Sequence, residues 1–102
     1  MLNIVKKQDG DTLTVKLDGR LDTNTAPDFQ TEMEPLLNDI SKLVLDFEKL
    51  DYISSAGLRV LLKTFQVMEA KDGRMVLKNV NEDLYDVLKL SGFVDFLEIE
   101  ND

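Results

Sequence analysis

The first part of the chain alternates between hydrophobic and polar residues. Residues 3–7 and 12–18 flank an Asp-Gly-Asp turn at residues 9–11, and the second segment alternates leucine and valine with polar residues. Alternation of period two beside an Asp-Gly turn is typical of a half-buried β-hairpin. The chain is therefore predicted to begin with two antiparallel strands.

Helical spacing replaces this alternation in the next segment. After residues 19–25, which are rich in helix-capping types, apolar residues recur mostly at intervals of three and four: Phe29, Met33, Leu36, Leu37 and Ile40. This spacing predicts a helix with one buried face. Pro35 falls inside that helix and has no N–H to donate to the carbonyl of Thr31, so we expect a kink or a break there.

Strand and helix patterns then alternate along the middle of the chain. Residues 43–47 form a short apolar run, typical of a central strand, and residues 48–51 have the composition of a turn. Apolar residues at helical spacing follow, namely Leu58, Leu61, Leu62, Phe65 and Met68. Gly73 lies where the residue past a helix C-terminus is expected, and residues 75–77 predict another buried strand. Strand, helix and strand in succession predict a parallel crossover.

The last part of the chain predicts one more helix and one more strand. Asn81 is the expected N-cap, residues 84–88 supply an apolar stripe, residues 90–92 end the helix, and residues 93–100 are strand-like. A chain of 102 residues has the size of one domain. We predict a single α/β domain over residues 1–102, with helices packed on one mixed β-sheet in the order β-β-α-β-α-β-α-β.

The composition excludes several classes of chemistry. The chain has no cysteine and no histidine, which rules out disulfides, thiolate metal sites and histidine general bases. We expect no enzymatic activity and, because no Gly-x-Gly-x-x-Gly or Walker pattern occurs, no cofactor. A formal net charge of −8 argues against direct binding to nucleic acid or to anionic membrane surfaces. The longest apolar runs are only a few residues, far below the ~20 that a membrane span needs, which argues against membrane insertion. The N-terminal residues lack the order of a secretion signal, which predicts a cytoplasmic protein.

Two polar segments follow predicted strands, at the carboxyl ends where sheets of this kind bind ligands. We expect the two segments to face each other. They are residues 19–24 and 51–58. The second has Ser54, Ser55, Ala56 and Gly57 at a predicted helix start, where free N–H groups and the helix dipole favour a phosphate. Serine is also a preferred N-cap, and an Ala-Gly pair permits close packing of a helix on a sheet. Both explanations are open at this point.

Residues 51–62, Asp-Tyr-Ile-Ser-Ser-Ala-Gly-Leu-Arg-Val-Leu-Leu, resemble the signature of STAS domains, especially of the bacterial anti-sigma factor antagonists. Residues 19–22 with Ala26 are similar to the family's Gly-x-Leu/Ile-Asp-x-x-x-Ala loop. Residues 90–93 resemble its segment of Leu or Met, Ser or Thr, Gly and an apolar residue. The resemblance covers nearly the whole chain, in the right order and at the right length.

This resemblance implies a regulatory binding protein. An unphosphorylated member of the family binds a serine kinase that acts as an anti-sigma factor, which frees a sigma factor, and phosphorylation of the antagonist releases the kinase. The implied partners are therefore an anti-sigma factor serine kinase and a metal-dependent, PP2C-type phosphatase.

The family's acceptor motif is Asp-Ser, then Ser, Thr or Ala, then Gly-Leu, and it aligns Ser55 with the phosphorylated residue. Ser54 takes the place of the usual aspartate and is the alternative acceptor. A kinase can reach Ser55 only if its hydroxyl is exposed. The resemblance implies no catalytic, cofactor-binding or metal-binding residue. It implies a partner-binding set of Asp22, Thr23, Asn24, Ser54, Ser55, Ala56, Gly57 and Arg59.

Acidic residues near the serine have more than one explanation. Asp22 matches the family's loop aspartate, which either orients the acceptor hydroxyl, contacts the partner, or serves as a turn or cap residue. A phosphate adds about −1.5 to −2 charge units, and Asp22, Asp46 and Asp51 are expected to repel it.

Two other functions are alternatives to this one. Ser54 in the aspartate position leaves open a stand-alone STAS interaction module of a lipid-transport or other signalling complex without a sigma-factor partner. A small hydrolase that uses Asp22 or Asp51 with a serine is disfavoured, because the chain has no histidine to act as a base.

Overall fold

The fold is organised around one mixed β-sheet with its strands in the order β1-β2-β3-β4-β5. The computed structural model describes residues 2–100. Its strands are β1 (Leu2–Asp9), β2 (Thr12–Leu21), β3 (Lys42–Ile53), β4 (Arg74–Lys78) and β5 (Glu98–Glu100). β1 runs antiparallel to β2, and the other neighbouring pairs are parallel. The predicted opening hairpin and the parallel crossover are both present.

Three α-helices and two short 3₁₀ segments connect the strands. The helices are α1 (Ala26–Met33), α2 (Ser55–Ala70) and α3 (Glu82–Leu90), and the 3₁₀ segments are Glu34–Asp39 and Phe93–Asp95. The order of strands and α-helices in this part of the chain is β-β-α-β-α-β-α-β, as the sequence predicted. Within residues 2–100, no helix combines the length and the apolar character that a membrane span needs.

The hydrophobic core joins all three α-helices to alternate residues of the strands. Along β2, Leu13, Val15 and Leu17 are buried while the residues between them face outward. This follows from the two-residue period of a strand, which sends successive side chains to opposite faces of the sheet. β3 is the central strand, as predicted, and α2 packs against the sheet through side chains such as Leu61, which is fully buried.

Pro35 breaks the first helix, as the sequence predicted. α1 ends at Met33, and the chain continues through Pro35 as a 3₁₀ segment. The break leaves the apolar spacing intact, because Leu37 and Ile40 are still only 3% exposed.

The prediction of a turn at residues 48–51 is wrong, because β3 continues to Ile53. Its outer half pairs with the end of β2, where residues 19–21 are also strand and not loop. Irregularities in the register on either side of the Asp18–Lys49 pair let the two strands stay together. Leu50 and Ile53 are buried, whereas polar residues between them point to solvent and give this half of the strand a turn-like composition.

Gly73 follows α2, but it does not take the left-handed conformation expected of the residue past a helix. Asp72 has that conformation, with φ of 60°. A Cβ on Gly73 would lie 2.8 Å from the Met68 Cε and 3.0 Å from the Ser41 carbonyl oxygen. A Cβ at position 73 would therefore crowd Met68 and the Ser41 carbonyl, which favours glycine where α2 approaches the chain before β3.

The last predicted strand is mostly a different structure. The chain turns at Gly92, with φ of 80°, and forms the 3₁₀ segment Phe93–Asp95, so only Glu98–Glu100 is strand. The Phe96 ring centroid lies 5.1 Å from that of Phe93 and 5.0 Å from that of Phe65 on α2. These aromatic contacts favour the compact turn over an extended chain.

Candidate functional site

The two segments expected to face each other do meet, at the end of β2 and the start of α2. The Ser54 N–H donates to the Leu21 carbonyl oxygen at 2.9 Å. One turn into the helix, a Cβ on Gly57 would lie 2.7 Å from the same oxygen and 2.9 Å from the Ile53 Cγ1. Only glycine permits this approach, so Gly57 is explained by close packing of α2 on the strand ends.

Ser54 is the N-cap of α2. Its backbone is extended, with φ of −94° and ψ of 174°, and its hydroxyl oxygen accepts from the Gly57 N–H at 3.2 Å. The Ser54 carbonyl also accepts the first helical hydrogen bond, from the Leu58 N–H at 2.9 Å. The sequence did not show which of the two serines caps the helix. In the structure the cap is Ser54.

Ser55 is the first helical residue of α2 and is exposed. Its side chain makes no hydrogen bond with any residue in the described range 2–100. Because Ser54 caps the helix, the Ser55 hydroxyl has no structural task and is accessible to another protein.

Asp22 organises its own loop between β2 and α1. Its Oδ1 accepts from the backbone N–H groups of Asn24 at 2.9 Å and Thr25 at 3.0 Å. The hydrogen bond from the Thr25 N–H, with partial desolvation acting against it, lowers the pKa of Asp22 below its ordinary value of 3.8. Between residues 2 and 100, no hydrogen bond joins Asp22 to Ser55, so in this structure Asp22 acts as a turn residue.

Thr25 is a site residue that the sequence analysis missed. Its hydroxyl accepts from the Asp22 N–H at 2.9 Å and donates to the Arg20 carbonyl oxygen at 2.8 Å. Thr23 and Asn24, which lie between Asp22 and Thr25, are exposed at the tip of this loop. The Asp-x-x-Thr spacing was a signal for this closed loop, since Asp and Thr side chains often hydrogen-bond to nearby backbone groups.

Arg20 and Tyr52 form a second feature that the sequence analysis missed. They are cross-strand partners on β2 and β3, and the Arg20 guanidinium lies 4.3 Å from the centroid of the Tyr52 ring. Its Nε also lies 3.6 Å from the Asp22 Oδ2. The Arg20 side chain is 53% exposed and Tyr52 is 42% exposed, so this arginine, held between an aromatic face and a carboxylate, lies at the surface.

Of the acidic residues expected near Ser55, Asp46 lies far from it. Asp46 lies seven residues before Ile53 along β3, roughly 20 Å of strand away. Its Oδ1 accepts from the Asn79 side chain and the Glu48 N–H, both at 3.0 Å. The prediction that Asp46 repels a phosphate on Ser55 is therefore wrong. Asp51 is exposed near the end of β3, and Arg59 is exposed one helical turn after Ser55.

Comparison with known proteins gives this site its context. The sequence profile of the STAS domain matches residues 3–102. The chain is 26% identical over 98 residues to the anti-sigma-B factor antagonist of Bacillus subtilis strain 168, covering 96% of this chain and 90% of the relative.

Solved structures show the same fold. The structure of an anti-sigma factor antagonist from Mycobacterium paratuberculosis superposes with a TM-score of 0.86 at 18% identity, covering 97% of this chain and 85% of the other. The Bacillus protein SpoIIAA gives a TM-score of 0.79 in both its unphosphorylated form (17% identity, 100% of this chain, 89% of the other) and its phosphorylated form (19%, 98% and 91%).

Proposed function

The chain belongs to the STAS domain family, and from this premise we propose that it is an anti-sigma factor antagonist regulated by phosphorylation of Ser55. In the unphosphorylated state it binds an anti-sigma factor serine kinase and frees a sigma factor. The kinase transfers the γ-phosphoryl group of ATP to the Ser55 Oγ, the hydroxyl proton leaves, and ADP is released. A PP2C-type phosphatase hydrolyses the phosphoserine with water, which restores the hydroxyl and yields inorganic phosphate.

The observation that carries this proposal is the division of roles between the two serines. Ser54 holds the helix cap, while Ser55 is exposed and its hydroxyl makes no hydrogen bond with residues 2–100. A phosphate on Ser55 therefore leaves the cap and the packing of Gly57 unchanged. Modification changes the surface and not the fold.

The physical effect of the phosphate is local repulsion and desolvation. It adds about −1.5 to −2 charge units to a chain whose net charge is already −8. Asp22 directly follows β2 and Asp51 lies near the end of β3, at this corner of the sheet. A partner seated here would have to desolvate the phosphate beside these acidic groups, and this cost opposes binding.

The proposed partner surface combines the loop after β2 with the first turn of α2. Its residues are Asp22, Thr23, Asn24, Ser54, Ser55, Ala56, Gly57 and Arg59. We further propose that the protein acts in the cytoplasm as one domain over residues 1–102, without a cofactor and without enzymatic activity of its own.

The proposal is tested by incubating the purified chain with its partner kinase and ATP, followed by mass spectrometry of the peptide that holds both serines. Phosphate is expected on Ser55 in the wild type and in Ser54→Ala, and none in Ser55→Ala or with ATP alone. In a binding assay, Ser55→Ala should bind the kinase persistently and Ser55→Asp should bind more weakly than the wild type.

Phosphate on Ser54, or wild-type affinity in Ser55→Asp, would overturn the assignment. The second result would favour the STAS interaction module of a lipid-transport or other signalling complex.

A further inference from the structure

Arg59 lies on the same exposed side of α2 as Ser55. Residues four positions apart on an α-helix are neighbours, with their Cβ atoms about 5–6 Å apart. Both residues are exposed, and the Arg59 guanidinium makes no ion pair or hydrogen bond with any residue that the structure describes. A long, flexible cation without a partner therefore lies within reach of the Ser55 side chain.

The other basic residues around this corner are engaged or distant. Arg20 is held between the Tyr52 ring and the Asp22 carboxylate. Lys63 lies eight residues after Ser55, about 12 Å along the helix axis. Of Arg20, Arg59 and Lys63, it is Arg59 that is placed to meet a charge on Ser55 without breaking an existing contact.

The acidic residues at this corner leave Arg59 unpaired. Asp22 uses its Oδ1 within its own loop and its Oδ2 toward Arg20, and Asp51 lies on β3 before the helix begins. The guanidinium group carries five N–H donors in a planar fork that matches phosphate oxygens. The Arg59 guanidinium is thus free to bind an anion on the same face of α2.

We propose that Arg59 is the internal counter-ion of a phosphate on Ser55, with guanidinium N–H groups donating to the phosphate oxygens. This inference rests on the proposed function, because it takes Ser55 as the modified residue. The ion pair holds the phosphate against the surface of α2, so that the group stays within the partner surface.

The test uses phosphoserine installed at position 55 during translation, so that it does not depend on any kinase. The second ionisation of the phosphate is followed by ³¹P NMR as a function of pH. A neighbouring cation favours the dianion, so the phosphate pKa should be higher in Arg59→Ala than in the wild type by about 0.3 unit. Arg59→Lys should restore part of the difference, and 1 M NaCl should remove most of it.

Arg20→Ala is the matched control, since it removes a cation from the same corner. Its effect on the phosphate pKa should be less than half that of Arg59→Ala. An unchanged phosphate pKa in Arg59→Ala, or a larger change in Arg20→Ala, would overturn the inference. The two proposals are refuted by different results. Phosphate on a residue other than Ser55 in the kinase assay would refute the proposed function, whereas the NMR experiment tests the ion pair itself.

Discussion

Ser54 and Ser55 are chemically identical neighbours with different structural roles. The backbone of Ser54 is extended, which turns its hydroxyl toward the Gly57 N–H, whereas Ser55 is already helical and exposed. The point at which the helix begins therefore decides which serine is a cap and which is available for modification. Position 57 sets that point, because only glycine lets the first turn approach Leu21 so closely.

Replacing each serine by alanine should separate these roles in a stability measurement. Ser54→Ala removes the cap hydrogen bond and should lower the free energy of unfolding by about 1 kcal/mol in urea denaturation. Ser55→Ala is the matched control and should change it by less than about 0.5 kcal/mol, because no hydrogen bond is lost. Equal losses in both variants would contradict the assignment of Ser54 as the cap.

Asp22 should make stability depend on pH in the acidic range. Its pKa is lowered in the folded state, so the ionised carboxylate stabilises the fold at neutral pH. That contribution is present above the ordinary value of 3.8 and is lost as the pH falls through the lowered pKa. Thermal unfolding of Asp22→Asn should therefore depend less steeply on pH below about pH 4 than that of the wild type.

Asp51→Asn is the control for this measurement, since Asp51 is exposed and its carboxylate makes no hydrogen bond or ion pair with residues 2–100. If the two variants change the pH profile equally, the loop hydrogen bonds of Asp22 do not account for its lowered pKa.

At the scale of elements, α2 joins the site to the core. Its buried residues Val60, Leu61, Thr64 and Met68 face the interior, and the hydroxyl of Thr64 donates to the Val60 carbonyl oxygen at 2.8 Å. Phe65 lies to one side of this face and contacts Phe96 after the last 3₁₀ segment. The helix that presents Ser55 at its start thus also anchors the C-terminal turn.

The loss of stability on truncating an α2 side chain should depend on how deeply that side chain is buried. Leu61→Ala removes a fully buried side chain and should cost about 3 kcal/mol or more. Phe65→Ala removes a partly buried ring and should cost about 2 kcal/mol, because solvent fills part of the space. Urea denaturation of both variants checks the order, and a larger loss for Phe65→Ala would place the ring deeper in the core than the structure does.

At the scale of the whole molecule, a row of charged side chains on the sheet lies apart from the main hydrophobic cluster. One cross-strand row outside the core alternates in sign, with Lys16 opposite Asp46, Asp46 opposite Lys78, and Lys78 opposite Glu100. Opposite charges facing each other across strands stabilise a sheet modestly. The other face of the sheet contributes to one buried cluster that includes residues of every α-helix.

A single continuous core should unfold in one cooperative step. Urea transitions followed by far-UV circular dichroism and by tyrosine fluorescence should coincide, since Tyr52 on β3 and Tyr85 on α3 belong to elements that share this core. A separate earlier transition in the fluorescence signal would show that the chain has two folding units and contradict the single domain over residues 1–102.

Several features of this protein were determined by the sequence alone, because their causes act within a few residues. Pro35 ends α1, Asn81 caps α3 by accepting from the Leu84 N–H at 2.8 Å, and Gly92 ends that helix with a positive φ. The period of the apolar residues likewise predicted the order of strands and helices. The two segments of the candidate site could be predicted for the same reason, since both follow strands of one sheet.

Other features were decided only by tertiary structure, because their causes lie far apart in the chain. Residues 48–51 are strand since they pair with the end of β2, about 30 residues earlier. Gly57 is required by the backbone of Leu21, and glycine is favoured at position 73 by the Ser41 carbonyl; no local pattern brings these atoms near. The division of roles between Ser54 and Ser55 belongs here too, because the approach of α2 to β2 determines where the helix starts and so which hydroxyl is left free.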